Sequence, residues 1–193
     1  IKIISSILAD INVLRPHEAV ESVTKIDYAA LKAKGINYIV FDKDNTLTIQ
    51  DSFQYYNEDI KNSVLQAQKT FGEKNIAILS NRVSSFFTNL LLEKPHVLSQ
   101  CLEKLGLHHV KANKKKPFNG EDVLAYFNLT PKQYGEICIV GDRLMTDILL
   151  GRWTGMYTIY CNPIDRKTDL WNVKPLRKIE DYILYSKFNI KLH

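Results

Sequence analysis

Short apolar runs alternating with amphipathic stretches leave this chain few ways to fold. Residues 38–41, 75–79, 136–140 and 156–160 are rich in β-branched and aromatic side chains and too short for helices, and 107–110 is a weaker run of the same length. Each reads as a strand, those at 38–41, 75–79 and 136–140 as buried ones. Helical spacing is expected over 23–35 (stopped by Gly35), 57–71 (stopped by Gly72), 84–92, 97–105, 119–127, 147–151 and 176–188. Strands alternating with helices predict an α/β fold, a parallel sheet flanked by helices on both faces.

The chain of 193 residues is long enough for one domain with appendages. Its expected division is an amphipathic N-terminal segment at 1–22, an α/β domain at 23–165, and a basic, partly helical segment at 166–193 that packs on the same domain. No apolar run approaches the ~20 residues of a membrane span. Cys101, Cys138 and Cys161 are widely spaced and form no CxxC, which argues against a disulfide framework or zinc site. The chain starts at Ile1, so a removed signal or transit peptide is compatible with it.

Charge is uneven. The net value is +5, and residues 166–193 hold seven Lys/Arg against Asp169, Glu180 and Asp181. Such a tail favours an anionic partner or forms a solvated helix face. At the other end, Ile1, Ile4, Ile7, Leu8, Ile11 and Leu14 fall at helical spacing, and Pro16 closes the stretch. That helix either packs on its own domain or lies in a membrane interface.

The strand ends carry the chemistry. Residues 38–41 run into Asp42, Lys43, Asp44, Asn45 and Thr46. The second strand ends in Ser80-Asn81, Lys116 follows the third, and the fourth ends in Gly141-Asp142 with Arg143, Thr146 and Asp147 beyond. Carboxyl ends of parallel strands share one edge of the sheet, so these groups converge. Several carboxylates with one lysine suit Mg²⁺ and a phosphate held on it. Lys43, between two aspartates, is expected by strand alternation to point away from that edge.

DKDNT at 42–46, SN at 80–81, KKP at 115–117 and GDRLMTD at 141–147 resemble, in this order, the four motifs of the haloacid-dehalogenase-like (HAD) phosphotransferases. The resemblance implies Asp42 as a nucleophile forming an aspartyl-phosphate and Asp44 as general acid, then base. It implies Lys116 for charge neutralisation, and Ser80 and Asn81, with Asn45 and Arg143, for substrate binding. Mg²⁺ would be held by Asp42, Asp142 and the backbone carbonyl of Asp44, with Asp147 supporting the site either as a ligand or by holding the ligands. The spacing between motifs leaves no room for an inserted cap, so an open site and a bulky phosphate are expected.

Three longer stretches, IDYAALKAKGINYIVFDKDNTLT, KKKPF and IVGDRLMTDILLGRWTGMYTIYCNPI, resemble the phosphatidylglycerophosphate phosphatase branch of that superfamily. This implies hydrolysis of phosphatidylglycerophosphate to phosphatidylglycerol, on the way to cardiolipin. The implied place is the matrix face of the mitochondrial inner membrane in a eukaryote, or the cytoplasmic membrane surface otherwise. The implied partners are a phospholipid substrate and an anionic membrane surface, met by the N-terminal helix and basic tail, with no nucleic acid. Two rivals share the motifs: a capless phosphatase of phosphoprotein or nucleic-acid 3′-phosphate, and a non-enzymatic membrane-docking scaffold.

Overall fold

The computed structural model describes residues 2–81, 104–167, 169, 171 and 173–192. The helix expected at 84–92 and nearly all of that at 97–105 lie outside the described residues. Six strands form one sheet: β1 (Glu18–Val20), β2 (Tyr38–Phe41), β3 (Ile76–Ile78), β4 (His108–His109), β5 (Ile137–Gly141) and β6 (Tyr157–Cys161). Their order is β1-β6-β5-β2-β3-β4, and every pairing is parallel. The five expected strands are all present.

The sixth strand, β1, was not expected. Its three residues, Glu-Ala-Val, carry no β signature of their own, and pairing with β6 makes them a strand. His17 N–H extends the ladder by donating to the Thr158 carbonyl at 3.0 Å. Tertiary pairing has overridden weak local propensity.

Helices cover both faces, as a parallel sheet requires. Ile39 and Phe41 of β2 pack against α2 (Tyr28–Ala33) and α3 (Glu58–Phe71). Val40 of β2 packs on the opposite face, with α4 (Gly120–Phe127) and Leu150 of α5 (Leu149–Thr154). In α3 the reasons for a helix are plain. Asn57 accepts a hydrogen bond from Ile60 N–H at 2.9 Å, Glu58 and Asp59 occupy the positive first turn, and Gly72 leaves at φ +89°. Ile60, Val64, Ala67 and Phe71 form its buried stripe. Burial of a large apolar side chain of this kind contributes about 1.5–3 kcal/mol.

A third cluster joins the two ends of the chain. Ile3, Ile7 and Leu14 pack with Ile148, Leu149, Ile183, Leu184 and Phe188. The N-terminal stretch is two pieces, not one helix: α1 (Lys2–Ala9) and a 3₁₀ turn (Ile11–Leu14). Asp10 breaks it by turning extended and accepting from Asn12 N–H at 2.9 Å. Ile4 and Leu8 remain exposed on α1. The C-terminal helix α6 (Lys174–Tyr182) passes into a π turn (Ile183–Lys187). Among the described residues, no helix is long and apolar enough to cross a membrane.

Candidate active site

The strand order fixes where a ligand binds. The neighbours β2 and β5 send their connections in opposite directions, toward β3 and toward β6. A crevice opens between their carboxyl ends at such a switch point. Asp42 follows β2 and Asp142 follows β5, so both stand at that crevice. The Asp42 N–H donates to the Val140 carbonyl at 2.8 Å, which ties the two exits together.

Asp42, Asp142 and Asp147 are buried, with carboxylate oxygens within 4.8 Å of one another. The Lys116 ammonium lies among them, bonded to Asp42 Oδ1 at 2.6 Å and to Asp147 Oδ1. The Lys116 N–H donates to Asn81 Oδ1 at 2.7 Å, so the second and third motifs touch directly. Asp147 Oδ2 accepts from Arg143 N–H and from Thr146 Oγ1, both at 3.2 Å. Room for Asp147 comes from Gly141, where a Cβ would stand 2.3 Å from the Asp147 Cγ.

Burial pushes the Asp42 carboxyl up to about 8 against the pull of Lys116, and Asp147 and Asp142 add repulsion. Asp142 is pushed up to about 6, again by burial, with Arg177 opposing. The Lys116 ammonium resists its own burial because Asp147 and Asp42 hold it charged, and its pKa is raised. Three crowded oxygen anions with less than their full complement of positive charge suit a hard dication such as Mg²⁺. The donor set therefore fits the metal that the resemblance implies.

Asp44 stands apart from the three-carboxylate group. Its Oδ1 accepts from Lys43 Nζ at 2.6 Å and Asp51 N–H at 3.0 Å, and its Oδ2 accepts from Ser80 Oγ at 3.3 Å. Lys43 thus departs from expectation. It does not point away from the site; it is buried, grips Asp44, and donates to the Ser52 carbonyl at 2.8 Å. Strand alternation fails here because β2 ends at Phe41 and the chain folds into a tight turn. Leu47 and Thr48 N–H both donate back to the Lys43 carbonyl, at 3.0 and 3.1 Å.

Two other expected substrate contacts are engaged within the protein. Asn45, at φ +62°, lines the cleft, but its amide bridges Asp169 Oδ1 and Asp165 N–H at 3.2 Å each. Arg143 also lines the cleft, and its Nε donates to Glu180 at 2.9 Å.

Three site residues escaped the sequence reading: Arg177, Asp169 and Glu180. Arg177 donates through Nη1 to the Asp142 carbonyl at 2.6 Å, through Nη2 to Asp142 Oδ2, and through Nε to Asp169 Oδ2 at 2.8 Å. Glu180 accepts from Arg143 and from Met145 N–H at 2.9 Å. Arg177 and Glu180 lie three apart and so share a face of α6, the one signal in the sequence that sets them apart from the surface charge around them. The cleft holds about 210 Å³ and gathers Asp42, Asp44, Ser80, Asn81, Lys116 and Asp142 with Arg177.

Comparison with known proteins places the chain in a family. A family model described as mitochondrial PGP phosphatase matches residues 1–164. The chain is 32% identical over 181 residues to phosphatidylglycerophosphate phosphatase 1, chloroplastic/mitochondrial, of Arabidopsis thaliana, covering 92% of this chain and 49% of that protein. It is 29% identical over 168 residues to the chloroplastic phosphatidylglycerophosphate phosphatase 1 of Chlamydomonas reinhardtii, covering 86% and 60%. It is 29% identical over 128 residues to a mitochondrial phosphatidylglycerophosphatase of Saccharomyces cerevisiae, covering 65% and 66%. The chain thus spans between half and two thirds of the length of these curated relatives.

Proposed function

Because the chain belongs to the mitochondrial PGP phosphatase family, we propose that it hydrolyses the phosphomonoester of phosphatidylglycerophosphate to give phosphatidylglycerol. The observation that carries this reading is Lys116 seated between Asp42 and Asp147 at the switch-point crevice, with Asp142 alongside. The same reading places the protein in a mitochondrion or plastid, at the surface of an anionic membrane.

In the proposed reaction Asp42 attacks phosphorus, and the bond from phosphorus to the glycerol oxygen breaks. Asp44, held on Oδ1 by Lys43 and Asp51, offers Oδ2 beside Ser80, protonates the departing oxygen, and later takes a proton from water. That water releases phosphate from the aspartyl-phosphate and regenerates Asp42. Lys116 offsets charge on Asp42 and on the phosphoryl oxygens. Mg²⁺, held by Asp42, Asp142, Asp147 and the Asp44 carbonyl, would supply further positive charge for phosphate binding.

A substrate panel tests the reading. Phosphatidylglycerophosphate, a phosphopeptide and a 3′-phosphorylated oligonucleotide are offered in turn, and phosphate release is followed. The lipid should be turned over fastest; an untouched lipid beside a rapidly hydrolysed rival would overturn the proposal.

Metal binding has a readout of its own. At about a hundredfold excess over Kd, a ligand that binds only the folded state adds ~2.7 kcal/mol of stability. For a chain of this size that raises Tm by about 5–10 °C. Mg²⁺ is expected to produce such a shift in the wild type and almost none in Asp142→Asn, as followed by calorimetry.

A further inference from the structure

Helix α6 is turned inside out. In a surface helix, apolar residues face the core and charged ones face water. Here Arg177 and Glu180, 6% and 1% exposed, face inward and serve the cleft. Ile179 and Tyr182, 48% and 62% exposed, face outward together with Leu176. Trp171, in the turn ahead of the helix, is 84% exposed.

We infer that this outward face of α6, with Trp171, is the surface by which the protein docks on an anionic phospholipid bilayer. The inference rests on the lipid-phosphatase reading and locates its membrane contact. Charge supports it. The acidic side chains of the C-terminal segment are engaged in ion pairs: Asp169 with Arg177, Glu180 with Arg143, Asp181 with Arg166. Lys174 and Lys178, one turn apart, are exposed beside the apolar residues. Lysine is depleted from protein–protein interfaces but favoured beside anionic headgroups. Tryptophan and tyrosine concentrate where a bilayer meets water.

Position supports it equally. Val173 and Arg177 line the cleft, so the docking face and the cleft wall belong to one helix. A phosphate fixed to a lipid needs the cleft mouth beside the membrane. This also revises the part given to the basic tail: Arg177 and Arg166 are engaged in ion pairs, and apolar contact carries more of the docking than net charge suggests.

The test is co-sedimentation of the full chain with phosphatidylcholine vesicles, plain or containing about one third phosphatidylglycerol, with no substrate lipid present. The wild type should partition onto the anionic vesicles. Leu176→Ser/Ile179→Ser and Lys174→Glu/Lys178→Glu should each lower partitioning at least about tenfold. Both should retain hydrolysis of p-nitrophenyl phosphate within about twofold, because substitutions on an outward face leave the cleft unchanged. Wild-type partitioning by either double variant would overturn the inference. So would a wild type that ignores vesicles, or light scattering in which the wild type is oligomeric and the variants are monomeric, which would assign the face to a second copy. Since these vesicles carry no substrate, a protein that binds them but hydrolyses no lipid phosphate defeats the enzymatic reading alone.

Discussion

Asp42→Asn is expected to lower turnover of the lipid phosphate by at least about 10⁴-fold, the scale on which removal of a covalent nucleophile is felt. Asparagine keeps the shape of aspartate and an oxygen that accepts from Lys116, but it does not attack phosphorus. Folding should survive. Burial already pushes the Asp42 carboxyl up to about 8, so a neutral group at this position relieves repulsion from Asp142 and Asp147. The checks are phosphate release, Tm without metal, and mass spectrometry of acid-quenched enzyme. The wild type should yield a phosphorylated peptide containing Asp42, and the variant none. Retained activity would remove the covalent route, whatever the substrate.

The second large effect is expected from Arg177→Met. The guanidinium is buried against Asp142 and Asp169 and bonds to both. Removing one member of a buried ion pair typically costs about 3–5 kcal/mol, because the remaining charge has lost its partner in a poorly solvated place. Here two carboxylates would lose it together. Urea denaturation should report a loss of that size, and lipid-phosphate turnover should fall with it as Asp142 shifts. Adding Asp169→Asn to Arg177→Met removes one of the stranded charges, so the double variant should regain part of the stability. If Arg177→Met unfolds at the wild-type urea concentration, the buried network is not what holds the C-terminal segment in place.

The sheet was legible because four of its five expected strands are short, β-branched and nearly continuous in apolar character, the weak exception being the edge run at 107–110. The site was legible to the extent that it follows strand ends: Asp42, Ser80, Lys116 and Asp142 need only a parallel sheet to converge. Lys43 was misplaced because period-two alternation lapses once β2 gives way to a turn closed by Leu47 and Thr48. The break in the N-terminal helix was hidden because Asp10 is polar at a position where a solvent-facing helical residue would also be polar. Arg177, Asp169 and Glu180 were read as surface charge, since a lone sequence gives the same letters to a solvated ion and a buried one. Only their mutual geometry separates the two.

That geometry bears on where the working unit ends. The family model ends at residue 164, just past β6, and every signature residue lies before it. Yet Arg177, which seats Asp142, enters from beyond that border. A fragment trimmed to the bounds of that model would display the complete set of motifs and carry a miswired centre. Recombinant designs, evolutionary comparisons and domain maps that treat the last thirty or so residues as a dispensable trailer would discard a wall of the cleft.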